Sequence, residues 1–238
     1  LITRDENGYP APCLAQSWQM LDEGKVWIFY LRKDVVFHDG SKFNADTVIK
    51  NFDRMKKGIK RSIFYGLDIN TFYPSLISYE KIDDYTVKLT FKETNLNQLY
   101  KMMDFGSAMF SPKCFSQDGN FNDIVIGTGP YKIVQNNLNK DVRLERFEQY
   151  YADKAKIKEI LIRNIPNVDS RYSALKSGEI CGVLDINAIP PFLATEIVKD
   201  NRYEVSTNKS TMIRFLALNG KKFPFNDVRM RQAVSLAI

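Results

Sequence analysis

Six consecutive apolar residues, Val26 to Leu31 (VWIFYL), constrain this chain more than any other segment, because a turn and a capped helix come directly after them. Asp39-Gly40 supplies the turn, and Asn44 then precedes Val48, Ile49, Phe52 and Met55, a stripe at helical spacing. A run this apolar reads as a strand covered on both faces, with Trp27 and Phe29 on one and Val26, Ile28 and Tyr30 on the other. Asn44 can cap the helix through its side-chain oxygen, and Lys56-Lys57-Gly58 marks its end.

The same reasoning carries along the chain. Tyr85, Val87, Leu89 and Phe91 alternate with polar residues and predict a half-buried strand. Leu99, Met102 and Met103 suggest a short helix before Ser111-Pro112. After the loop Ser116 to Asp123, Tyr131 to Val134, Val142 to Arg146 and Glu159 to Ile165 read as strands. Asp169 or Ser170 would cap a helix that stops at Gly178. Leu184 to Ile189, Tyr203 to Ser206 and Phe215 to Asn219 read as short strands. Met230, Ala233, Val234, Ala237 and Ile238 share one face of a last helix, capped by Asn226 or Asp227. That helix stops on an apolar residue, and Leu1 opens without methionine, so the chain reads as a piece of a longer protein. Strands and helices mix without strict βαβ alternation, which predicts a mixed α/β fold built on a mixed sheet.

Composition excludes several classes. No stretch approaches the ~20 apolar residues of a membrane helix. The net charge of +6 comes from 34 basic and 28 acidic residues that are dispersed, so a solvated surface is expected and no nucleic-acid partner. Cys13, Cys114 and Cys181 are far apart, with no CxxC and only His38 as an imidazole, which argues against a metal site and for small apolar fillers.

Nor is a catalytic constellation visible. Gly127-Thr128-Gly129-Pro130 lacks the Lys-Ser/Thr of a phosphate loop and leads into a strand, so a glycine turn is expected. His38 sits beside Asp39-Gly40 with no nucleophile elbow anywhere, and reads as a structural turn histidine bonded to backbone or water. Asp83-Asp84 lies where a turn needs local hydrogen bonds, and Glu179 with Asp185 selects no chemistry. One stretch differs. Lys56, Lys57, Lys60 and Arg61 stand just before Phe64 and Tyr65, cations beside rings in an expected loop. Such a set can grip a carboxylate against an apolar wall. The same residues also fit a solvated basic helix end favoured by the helix dipole.

Several segments, in order, resemble one family. LAQSW and WIFYLRKDVVFHDGSKFNADTVIKNF match the opening of extracellular solute-binding proteins of the peptide/nickel family (family 5), the ligand-capturing subunits of ABC importers. IGTGPYKI with VRLERFEQYY, IPNVDSRYSALKSGEI, and FLALNGKKFPFNDVRMRQAVSLAI continue the likeness collinearly. The resemblance implies a type II periplasmic-binding-protein-like fold with ligand held between two lobes, in a protein about twice this long. On that reading residues 1–9 end a main-lobe segment, 10–123 form an accessory subdomain of lobe one, 124–210 its main domain, and 211–238 cross towards lobe two.

The chain looks nearer to the nickel-chelate binders than to the long-peptide binders, with a di- or oligopeptide ligand as the alternative. Arg61 would meet a chelator carboxylate, with Phe64 where those relatives place a Trp, and Tyr65 and Phe105 completing the ligand-binding set. Some nickel binders use an arginine near Asp104-Phe105-Gly106, and none occurs here. The likeness further implies no enzyme activity, no catalytic or metal-ligating residue and no cofactor, Ni2+ arriving as a chelate. It implies a membrane permease as partner, a monomer, and a periplasmic or extracellular location with a lipid anchor as one option.

Overall fold

The computed structural model describes residues 1–57, 69–122, 124–184, 189–206 and 216–237. The chain divides into two compact units, Leu1–Ile165 and Pro166–Ile238.

The first unit is built from short antiparallel sheets with one long helix. A short ribbon pairs β1 (Ile2–Arg4) with β2 (Pro10–Pro12). The main sheet has the order β3 (Ala15–Leu21), β4 (Val26–Leu31), β6 (Thr86–Phe91), β5 (Leu76–Asp83). In β4, Trp27, Phe29 and Leu31 are buried while Val26, Ile28 and Tyr30 are only half-buried. The strand is therefore sealed on one face alone. Among the described residues its second face is only half covered, Ile28 lying opposite Gln19 and Lys88. On the sealed face Phe29 aligns with Val87 and Trp27 with Leu89.

α1 (Ala45–Lys57) lies against β5 and β6. Its start is a reciprocal box: the Thr47 amide donates to Asn44 Oδ1 at 3.1 Å, and the Asn44 amide to Thr47 Oγ1 at 3.1 Å. Such a cap contributes about 1 kcal/mol. Val48, Phe52 and Met55 are buried, and Phe52 packs on Tyr73 and Tyr79 at 4.8 and 5.1 Å between ring centroids. α2 (Ile69–Phe72) and α3 (Gln98–Met102) are single turns.

A second sheet, β7 (Tyr131–Asn137), β8 (Asp141–Arg146) and β9 (Glu159–Arg163), is amphipathic in register. Ile133, Leu144 and Ile160 align across it, as do Val142 and Ile162. The other face aligns Lys132, Glu145 and Glu159, and the Lys132–Glu145 pair closes to 3.5 Å. All described pairings are antiparallel, so among the described residues the expected mixed sheet is realised only as antiparallel sheets. Hairpin-length links join β3 to β4, β5 to β6 and β7 to β8, and no helical crossover separates these strands.

The second unit contains α4 (Val168–Ser177), α5 (Pro191–Ile197) and α6 (Val228–Ala237). Asn167 caps α4, its Oδ1 accepting the Ser170 amide at 2.9 Å, two or three residues before the expected cap. Gly178 ends that helix at φ 79°, a left-handed position that favours glycine. Asp227 Oδ1 accepts the Arg229 amide at 2.9 Å at the start of α6. The expected strand at Tyr203 to Ser206 is not one: among the described residues the segment pairs with no strand, and Tyr203 Oη donates instead to the Leu175 carbonyl at 3.2 Å. Residues 216–219 likewise form no strand, and most of the expected Leu184 to Ile189 strand lies outside the described residues. Cys114 is the buried filler anticipated, but Cys13 is half-buried and Cys181 exposed.

Candidate ligand-binding site

One face of α1 organises the segment around residue 110. Asn51 is fully buried, and its Nδ2 donates to the Thr47 and Phe110 carbonyls, each at 2.8 Å, while its Oδ1 accepts the Phe110 amide at 3.0 Å. This one amide side chain takes over the ladder pairing that a non-strand segment at Phe110 lacks. One turn on, Arg54 is 4% exposed, and its guanidinium lies over the rings of Phe121, Phe110 and Phe115 at 4.7, 5.9 and 5.9 Å. Burial lowers its pKa, and nearby Cys114 opposes that weakly. Lys57 Nζ donates to the Gln117 carbonyl, tying the end of α1 to the same loop. Sequence reasoning missed Asn51 and Arg54 as organising residues. The available signal was two polar groups on the face that also carries Val48, Phe52 and Met55.

Arg61, Phe64 and Tyr65 fall in the segment joining α1 to α2 and lie outside the described residues. Phe105 is described. Its ring is 71% exposed and meets Phe72, the last residue of α2, edge to face at 6.3 Å. Asp104 shapes the turn beneath it, Oδ1 accepting the Gly106 amide at 3.4 Å. Of the four residues expected to bind ligand, Phe105 alone is described, an exposed ring packed edge-on against the last residue of α2. Gly106 is required here, since a Cβ would stand 1.9 Å from Phe72 Cζ. Gly106→Ala is expected to push Phe72 aside and lower stability by about 1–3 kcal/mol, read as a fall in the thermal midpoint.

A second feature is the turn at residues 37–41. Asp39 is held by the Ser41 amide at 3.0 Å, Ser41 Oγ at 2.6 Å, Ser111 Oγ at 3.2 Å and Lys113 Nζ at 3.1 Å. Burial raises its pKa, but these donors outweigh it and hold the carboxyl at about 2. Asp39 was legible only as a turn former. His38 is the structural histidine expected: its amide donates to the Gly127 carbonyl at 2.9 Å and its ring faces Gly127 and Gly129. Ile126 to Pro130 is the expected glycine turn, leading into β7. An open groove of about 340 Å3 runs between this turn, residues 124–126 and residues 132–136, and Phe105 does not line it. Among the described residues no group of three or more His, Cys, Asp or Glu side chains is arranged to hold a metal ion.

A family model described as bacterial extracellular solute-binding proteins, family 5 middle, matches residues 9–238. The chain belongs to that family. Its members bind solutes and do not transform them, and they carry no resident cofactor. The dipeptide-binding protein of Escherichia coli is 28% identical over 95% of this chain and 45% of its own length. Heme-binding protein A of Haemophilus influenzae is 26% identical over 95% of this chain and 44% of its own length. NikZ of Campylobacter jejuni, solved in complex with Ni(L-His), superposes with a TM-score of 0.84 at 27% identity, over 100% of this chain and 47% of that one. The chain thus spans less than half the length of these relatives. The likeness to NikZ runs through both units and carries the type II periplasmic-binding-protein-like class.

Proposed function

We propose that this chain is part of the substrate-binding subunit of an ABC importer, working outside the cytoplasm and handing its ligand to a membrane permease. The observation that carries this is the family match over residues 9–238. Residues 1–9, 10–123, 124–210 and 211–238 would then be the end of a main-lobe segment, the accessory subdomain, the main domain of lobe one and the crossover to lobe two. The mechanism is a binding equilibrium. Contacts made only in the closed form shift the open–closed population, and the permease reads the closed shape. The protein would act as a monomer, free or lipid-anchored.

For the ligand we favour a nickel chelate, supported by the likeness to a relative solved with Ni(L-His). Arg61 would engage a carboxylate of the chelator while Phe64, Tyr65 and Phe105 supply the apolar wall, the exposed ring of Phe105 being the described member of that set. A dipeptide or oligopeptide is the second reading, favoured by the dipeptide-binding relative and by the absence of arginine at 104–106. Titration calorimetry of the full-length protein separates them. Heat with nickel plus histidine, and none with a dipeptide mixture, is expected. Heat from peptide alone retires the chelate. Arg61→Ala should weaken binding of the carboxylate-bearing ligand by about 1.5–3 kcal/mol, and unchanged affinity would return Arg61 to the solvated surface.

A further inference from the structure

We infer that His38 is a proton-operated latch on the Gly127 amide: its neutral ring bridges Gly127 and Gly129 of the glycine turn, and protonation breaks the bond to the Gly127 amide. The hydrogen bonds define the tautomer. The Gly127 N–H can only donate, so the Nδ1 it meets at 3.4 Å must be the bare, accepting nitrogen. The proton then sits on Nε2, which donates to the Gly129 carbonyl at 3.0 Å. One neutral imidazole thus satisfies a donor and an acceptor two residues apart, and no imidazolium can. A proton at Nδ1 would set N–H against N–H and break the bond to Gly127.

The surroundings favour the neutral form. From its own turn comes the Asp39 carboxylate, which attracts an imidazolium but is engaged by two serines and the Lys113 ammonium. From β7 comes the Lys132 ammonium, which repels one. Phe147 adds an uncharged ring at 4.9 Å, edge to face, its neighbour Arg146 being paired with Glu148 at 2.7 Å. Burial is the largest influence and lowers the His38 pKa from its ordinary 6.5; the Gly129 bond opposes it, and Lys132 adds to it. A depressed folded pKa fixes the direction. The latch contributes its full stability above about pH 6.5 and loses it as the unfolded chain alone takes up protons below that, until the folded ring protonates and the Gly127 bond is gone.

Release would stay local. The Ser111 amide donates to the Ile126 carbonyl at 2.9 Å, and the Ile126 amide meets Cys114 Sγ at 3.1 Å, so the near end of the segment is held by groups that do not titrate in this window. The groove lined by His38, Asp39 and residues 132–136 gives water a route to the ring. What is freed is the Gly127 amide: the Gly127 carbonyl keeps the His38 amide at 2.9 Å, the Gly129 carbonyl still accepts Nε2–H, and the Pro130 carbonyl keeps the Phe147 amide at 2.8 Å.

Because the chain has one histidine, the test is direct. A long-range 1H–15N spectrum of the 238-residue chain, labelled at histidine and titrated from pH 8 to 4.5, should show the Nε2–H tautomer at pH 8 and a midpoint below 6.5. The amide shifts of Gly127, Gly129 and Lys132 should move with that midpoint. An Nδ1–H tautomer, a midpoint at or above 6.5, or amides that ignore the ring would overturn the latch. His38→Gln keeps a neutral acceptor and donor at every pH. Hydrogen-exchange protection at the Gly127 amide, corrected for intrinsic rates, should fall in the parent as the pH drops from about 6.5 to the ring's midpoint, level off below it, and stay level throughout in the variant. The same loss in both chains would rule the latch out.

Discussion

A chain carrying Phe52→Ala is expected to lose about 3–5 kcal/mol of unfolding free energy, the largest effect of any single truncation proposed for this protein. Phe52 is fully buried, and its ring is stacked on Tyr79 of β5 and set edge-on to Tyr73. Removing it deletes the transfer energy of the ring and leaves a void between α1 and the sheet, which aromatic neighbours cannot close by small shifts. The reporter is already in place. Trp18 and Trp27, the only tryptophans, stand on the adjoining strands β3 and β4 of the same sheet, so their fluorescence in a urea titration reports on this unit alone. A midpoint unchanged within error would mean that α1 is not seated on the sheet through this ring.

Asn51→Leu is expected to cost about 3 kcal/mol, although it adds apolar surface and changes volume little. The loss comes from Phe110, whose amide and carbonyl would both lose the side chain that completes their pairing. Each orphaned buried group costs about 1–3 kcal/mol. Lys50→Ala, next door on the exposed side of the same helix, is the control and should stay within about 0.5 kcal/mol in the same urea titration. Equal effects of the two changes would show that Asn51 contributes nothing beyond helix propensity.

These two residues show where the sequence was legible and where it was not. The stripe of Val48, Phe52 and Met55 and the cap at Asn44 are local signals, three or four residues apart, and the helix they predict is the helix found. β6 was equally plain, since Val87, Leu89 and Phe91 alternate. β5 was not, because Ile77, Tyr79 and Ile82 do not keep a period of two, and its identity comes from the register with β6, including two bulges. α5 begins at Pro191 and runs only seven residues, too short for periodicity to speak. Tyr203 to Ser206 has strand-like residues but, among the described residues, no strand to pair with, and a ladder is a tertiary property. For the site, Phe105 came from a resemblance, and the structure gives it exposure and a neighbour in Phe72. The partnership of Asn51 with Phe110 spans 59 residues, a distance over which no pattern of residue types announces a contact.

The turn at residues 37–41 carries a consequence for the order of assembly. Its bonds reach Ser111, 72 positions away, and Gly129, 91 positions away, whereas the β3–β4 and β7–β8 hairpins close over a few residues. Joining such distant points costs loop entropy before any contact returns it. The hairpins and α1 can therefore form early and independently, while this junction must wait for both partners to arrive, making it the place where the first unit finishes folding.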